Sequence, residues 1–192
     1  MLSILAPFST LVTTAQAEDA LVCCDAAEVD LLLVGDSDLQ LTPFSELLSE
    51  TSSSASFETA ISSSEPIGKW SLDRAWPGTV PDSTWTVELE YTVSDAGGAN
   101  LNISATLVIG SSSFTGFLGL DQQFVPQGSG KISIDIPVEE LQVNGGSEVS
   151  LSLNARSIVF SVPASGAKVE FFWGSEEPVS YTHLRAHETD SY

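Results

Sequence analysis

Basic residues are scarce in this chain: six Lys and Arg stand against 26 Asp and Glu, for a formal net charge of −20. A surface of that sign repels phosphate, so nucleic acid is excluded as a partner and anionic lipid surfaces are disfavoured. Histidine is nearly absent, with only His183 and His187 near the end. A Ser or Cys nucleophile, or a catalytic zinc, leans on a nearby imidazole, and the long body before His183 offers none. No run of about 18 apolar residues occurs, so no segment has the length of a membrane-spanning helix. Cysteine is confined to the adjacent pair Cys23 and Cys24. Neighbouring Cα atoms lie about 3.8 Å apart, short of the roughly 4.4–6.8 Å a relaxed disulfide needs. A strained vicinal bridge, a bridge to another segment or chain, and reduced packing all stay open for this pair. A CxxC redox or metal motif is missing.

Both ends differ from the body. Val179-Ser-Tyr-Thr-His-Leu-Arg-Ala-His-Glu-Thr189 resembles the in-frame translation of a transposon-end sequencing adapter, with Asp190-Ser-Tyr192 as an index-like remainder. The resemblance implies that residues 179–192 are an artefact and that the histidines belong to it. It also implies that the natural C-terminus lies elsewhere. At the other end, Met1–Ala17 carries the apolar stretch Leu2-Ser-Ile-Leu-Ala-Pro-Phe8 and closes on Ala15-Gln16-Ala17. Those small residues fit cleavage of a secretory signal before Glu18. The usual positive residues before the apolar part are missing, so either the signal starts upstream or the segment is a first strand. Pro7 and the scattered Ser and Thr disfavour the strand.

Between the ends, the apolar pattern has period two. In Trp85-Thr-Val-Glu-Leu-Glu-Tyr-Thr-Val93 the odd positions are apolar and the even ones polar, which suits a half-buried strand and excludes a helix. Leu101–Ile109 alternates likewise, and the intervening Asp95-Ala-Gly-Gly-Ala-Asn100 predicts a hairpin turn. Further strands are expected at 131–136, 148–155 and 168–173, with weaker ones at 29–34, 67–72, 112–118 and 158–161. Helix is expected only as short pieces at Pro43–Leu48 and Val138–Leu141. The Ser-rich stretch Ser49–Ser64 reads as a long loop with a helical turn at Phe57–Ile61. The expectation is one all-β domain over residues 18–174, a single antiparallel β-sandwich with jelly-roll-like topology. An immunoglobulin-like sandwich is the alternative, although the Cys…Trp…Cys spacing of that class is missing. Residues 175–178 read as the start of a polar linker, and any membrane attachment would come through an unseen C-terminal anchor.

Candidate sites follow from residue chemistry. Asp36 and Asp38, in Gly35-Asp-Ser-Asp38, offer hard oxygen ligands for calcium, with Asp95, Asn100 and Asp121 as further loop oxygens. Sugar recognition needs an exposed aromatic ring. Trp70, Trp85 and Trp173 share the inward phase of their strands, which leaves Trp76, flanked by Arg74 and Asp73, as the candidate. Phe172 is out of phase with its neighbours and is the one aromatic on an outward strand position. Glu88 and Glu90 lie two apart on one strand, with Cα atoms about 6.5–7 Å apart. Glycosidase carboxylates work at such separations, but they normally flank the substrate from two elements. Asn102-Ile-Ser104 is an N-glycosylation sequon on the polar phase.

Together these features point to a non-enzymatic extracellular or cell-surface module serving adhesion, assembly or coat structure. An extracellular glycan or another surface protein would be its partner. A carbohydrate-binding module, calcium-assisted or not, is the alternative, and a carboxylate glycosidase is a weaker second one.

Overall fold

The computed structural model describes residues 28–49, 51–72, 78–119, 122–175 and 183–188. Met1–Ala17, Cys23 and Cys24, the Asp73–Pro77 segment and Asp121 lie outside the described residues. Twelve strands are found among the described residues. They are β1 Glu28–Val34, β2 Gln40–Thr42, β3 Ser53–Phe57, β4 Glu65–Leu72, β5 Gly78–Val80 and β6 Ser83–Ile109. After these come β7 Ser112–Phe117, β8 Gln123–Val138, β9 Leu141–Val143, β10 Val149–Ser161, β11 Lys168–Trp173 and β12 His183–Glu188. The all-β class therefore holds. Helix among the described residues is reduced to a single 3-10 turn at Ser45–Leu47, inside the segment expected to be helical, while β9 occupies the end of the second. None of the described helices is long and apolar enough to cross a membrane.

The expected hairpin over 85–109 does not form. Trp85–Val93 and Leu101–Ile109 are two halves of one 27-residue strand, β6, that bends without reversing. Asp95 takes a positive φ of 52° and Gly98 one of 146°, and the pairing with β8 skips register between Val93 and Gly98. A bulge with a flexible glycine bends a strand and raises its twist, whereas a hairpin needs the chain to turn back within two to five residues. The reversal comes later, at Gly110–Ser111, where β7 turns back along β6, and β8 continues beside it and bends in step with it. Ser83–Val93 pair with Gly128–Val138, and Gly98–Leu101 pair with Gln123–Pro126.

β6 then belongs to two regions of sheet. Its first half pairs with β11, which carries β3 on its other side, and its second half pairs with β10 and β7. From β10 the hydrogen bonding runs through β4, β2 and β1 to β12, and β12 returns to the first half of β6. The result is one nearly closed, barrel-like sheet of ten strands. A separate two-stranded sheet is made by β5 and β9. The strands on either side of β12 are parallel to each other, since both are antiparallel to it.

Period two explains the core. Trp85, Val87, Leu89, Tyr91 and Val93 are buried from the first half of β6, and Leu101, Ile103, Ala105, Leu107 and Ile109 from the second. The strands paired with β6 add Leu151, Leu153 and Ala155 from β10, Ile132, Ile134 and Ile136 from β8, and Val169, Phe171 and Trp173 from β11, all buried. Trp70 and Trp173 meet edge-on, with ring centroids 5.2 Å apart, and Trp173 Nε1 donates to the Gly35 carbonyl at 2.8 Å. The inward phase expected for three tryptophans is thus the observed one.

The Ser-rich stretch is not only loop. Ser53–Phe57 forms β3 along the free side of β11, and Ile61 bridges to Ile158. Serine hides the alternation because it lacks apolar contrast, yet only Phe57 of this strand is buried. β3 is fastened by a charged pair. Ser54 Oγ donates to Glu170 Oε1 at 2.8 Å, and Lys168 Nζ donates to Glu170 Oε2 at the same distance. The Lys168 hydrogen bond, helped by Ser54, holds the Glu170 carboxyl below the ordinary glutamate range, and the same bond raises Lys168. A lowered carboxyl pKa stabilises the fold above the ordinary range, and that stability is lost as pH falls through the lowered folded value. Glu170→Gln is therefore expected to melt slightly below wild type at neutral pH. The gap should close in acid, which thermal melts across pH would show; a gap that widened in acid would contradict the pairing.

Candidate functional site

The outward face of the first half of β6 carries a cleft. Antiparallel register puts directly opposed residues on one face, and two such rows meet here. In the first, Ser54 of β3, Phe172 of β11, Glu90 of β6 and Lys131 of β8 lie side by side. In the second, about 6.5–7 Å along the strands, are Ser56, Glu170, Thr92 and Ser129. Ser52 lies at the rim. The cleft has a volume of about 320 Å³ and is lined by Phe172, Glu90, Lys131, Thr92, Ser129 and Ser52. Beneath it, Gly130 lies opposite Tyr91. A Cβ at that glycine would come within 2.6 Å of the tyrosine Oη, so the floor requires the missing side chain.

Glu90 is the unusual residue of this surface. Its phase is outward, yet only 8% of it is exposed. Its Oε1 lies 3.6 Å from Lys131 Nζ, close enough for an ion pair but too long for a hydrogen bond. Buried as it is, that oxygen accepts no hydrogen bond within the described residues. A buried acceptor left unsatisfied costs on the order of 1–3 kcal/mol, a cost that a bound donor would relieve. Beside it, Thr92 Oγ1 and Ser129 Oγ share a 2.7 Å hydrogen bond. Phe172, half-buried, supplies the apolar surface.

The charges balance locally. Lys131 faces Glu90, and Lys168 bonds Glu170 one row away. In a chain of net charge −20 this is a nearly neutral patch, suited to an uncharged ligand rich in hydroxyls. Glu88 does not share the cleft. It lies one row further along β6, opposite Ser133 and His183, so Glu88 and Glu90 project from one strand and do not confront each other.

No family model matches the chain, and no curated protein matches it either. Among solved structures, the insecticidal delta-endotoxin Cry8Ea1 of Bacillus thuringiensis is similar at 12% identity with a TM-score of 0.34. That match covers 72% of this chain and 20% of the toxin chain.

The other candidates lie apart. Asp36 and Asp38 are exposed in the loop between β1 and β2, where Asp38 Oδ2 accepts a hydrogen bond from Gln40 Nε2 at 3.2 Å. Among the described residues no three His, Cys, Asp or Glu side chains are grouped to hold an ion. Trp76, Arg74 and Asp73 fall outside the described residues. Asn102 is half-buried inside β6, opposite Ser157, and Ser104 is buried.

Sequence reasoning noted both Phe172 and Glu90 but did not join them, because 82 residues of chain separate what the β11–β6 register makes neighbours. Phe117 and Phe124 went unnoticed. Both are about half exposed, opposite Ser104 and Asn100 on the second half of β6, with Arg156 stacked 5.1 Å from the Phe117 ring centroid. The signal for Phe117 was its phase, one step off the inward Phe114 and Gly116.

Proposed function

We propose that this protein is a non-enzymatic extracellular or cell-surface module whose adhesive contact is recognition of a carbohydrate in the cleft of Phe172, Glu90 and Lys131. The observation that carries the reading is the buried, unsatisfied Glu90 oxygen beside an aromatic ring. A sugar presents what these groups lack: hydroxyl donors for the carboxylate, acceptors for the ammonium, and a C–H face for the ring. Binding without hydrolysis suits a cleft that Glu90 lines and Glu88 does not, since glycosidic cleavage needs carboxyls on both sides of the bond.

The scaffold of this reading is a jelly-roll-like β-sandwich. One layer would comprise β1, β2, β4, β10 and the second half of β6; the other, β8, the first half of β6, β11 and β3. Strands β6 and β8 would pass between layers at their common bend.

A glycan array followed by calorimetry tests the function. Phe172→Ala and Glu90→Gln are each expected to weaken the retained glycan at least about tenfold, the size of one lost stacking or charged hydrogen-bond contact. Phe124→Ala, on the other half of β6, should leave binding unchanged. A glycan insensitive to both cleft variants sinks the reading; sensitivity to Trp76→Ala alone would relocate the site to the Asp73–Pro77 segment.

A further inference from the structure

The second half of β6 has an outward face of its own, and its side chains depart from the acidic composition of the chain. In one row Phe117 of β7, Ser104 of β6 and Asn154 of β10 lie side by side. Four residues back along β6, about 13–14 Å away, a second row joins Phe124 of β8, Asn100 of β6 and Val159 of β10. Phe117, Phe124 and Val159 are each about half exposed, three of the six large apolar side chains so exposed among the described residues. None of the residues in these rows is acidic, in a chain with 26 Asp and Glu. The Phe124 ring fills the space that a Cβ at Gly98 would need, which holds it against the sheet.

A β-bulge places a charge between the two rows. The pairing of β10 with β6 passes from Ala155 opposite Ile103 to Ser157 opposite Asn102, which leaves Arg156 as the extra residue. A bulge re-aims the side chain it carries, and the Arg156 guanidinium comes to rest 5.1 Å from the Phe117 ring centroid. The two side chains belong to strands on opposite sides of β6, and Ser104, which β6 contributes between those strands, is buried. Beside this pair Gln122 Nε2 donates to Ser157 Oγ at 3.1 Å. A stacked guanidinium keeps its N–H edges available for hydrogen bonding. Arg156 makes no ion pair among the described residues.

We propose that this face is a second binding surface, separate from the cleft of Phe172 and Glu90, and that it takes a glycan carrying a single acidic sugar. Arg156 pairs with the sugar carboxylate through two parallel hydrogen bonds, the arrangement its planar guanidinium favours. Phe117 and Phe124 offer ring faces to sugar C–H groups, and Asn100 and Asn154 offer amides to hydroxyls. The partner has one carboxylate among neutral sugars because these rows hold one cation, and a polyanion would be repelled by the net charge of −20. A peptide is the poorer fit. The β6 backbone is laddered here to β10 on one side and to β7 and β8 on the other, so it offers no open edge for strand addition.

The test is calorimetry on the full chain with a panel of oligosaccharides, each bearing one uronic or sialic acid, beside their carboxyl-reduced counterparts. At least one acidic member is expected to bind, and its reduced form at least about tenfold more weakly. Arg156→Gln, at an exposed position, should melt close to wild type yet lose binding of the acidic glycan by a similar factor. Phe117→Ala should weaken it as well, and Arg156→Lys, which keeps the charge without the planar fork, should fall between. Phe172→Ala and Glu90→Gln should leave this binding intact, so failure of this surface and failure of the cleft are read separately. Silence across the acidic panel overturns the surface. So does equal binding of acidic and reduced forms, or a loss in Phe172→Ala that Arg156→Gln does not share. An acidic peptide retained through Arg156 in place of every glycan overturns the partner chemistry.

Discussion

Trp70→Ala is expected to be among the most damaging single substitutions in this protein, costing about 3–5 kcal/mol. The indole is fully buried, so its removal forfeits a large apolar area and leaves a void that the surrounding sheet can only partly fill. It also dissolves the edge-on contact with Trp173, which ties β4 to β11. For a domain of this size the loss corresponds to a drop in melting temperature of roughly 6–20 °C. The chemistry of the ring supplies a control. Trp70 Nε1 has no hydrogen-bond partner among the described residues, whereas Trp173 Nε1 is bonded to the Gly35 carbonyl. Trp70→Phe should therefore be better tolerated than Trp173→Phe, which strands a carbonyl as well as shrinking a ring. Denaturant titration of the three variants decides the matter. A Trp70→Phe protein less stable than Trp173→Phe would show that the Trp70 N–H has a partner after all.

Gly68→Ala should be nearly as harmful for the opposite reason. A Cβ at position 68 would run into the Trp70 ring, against three of its carbons. The contact is with a rigid, fully buried indole, so the strain cannot be relieved by swinging a flexible side-chain end aside. Overpacking of this kind costs about 1–3 kcal/mol and sometimes more. Since the clash is with Trp70 itself, the two substitutions are coupled. Gly68→Ala introduced into Trp70→Ala should cost far less than in wild type, because the added methyl then enters the space the indole vacated. Full additivity in that double-mutant cycle would place the strain elsewhere. The glycine thus belongs to the packing of β4 on the core, although in sequence it looks like an interruption of a strand.

The candidate site was half legible in the sequence. Phe172 stood out because its neighbours Phe171 and Trp173 set a phase it could share only in part, and Glu90 stood out through its spacing from Glu88. What no spacing rule supplies is that Phe172, Glu90 and Lys131 form one row across three strands. That row depends on register, and register depends on where β6 bends. The sequence at the bend predicts a turn, since Asp-Ala-Gly-Gly is chemically suited to either. Which one forms is decided by the partner available: β8, with its own Gly128 and Pro126, bends in step and offers β6 a continuous ladder. Reading the Ser-rich segment as loop failed for a related reason. Serine carries no apolar signal, so β3 is a strand because β11 has a free side to receive it.

Alternation of apolar and polar residues determined on its own that this chain is all-β, and which of its faces are dry. That information is local, since a side chain's direction in a strand depends only on parity along the chain. Tertiary structure alone decided that β6 runs through two regions of sheet, that β12 closes the sheet, and that an aromatic ring meets an unsatisfied carboxylate. Those outcomes depend on which distant backbone groups find each other, and parity is silent about partners.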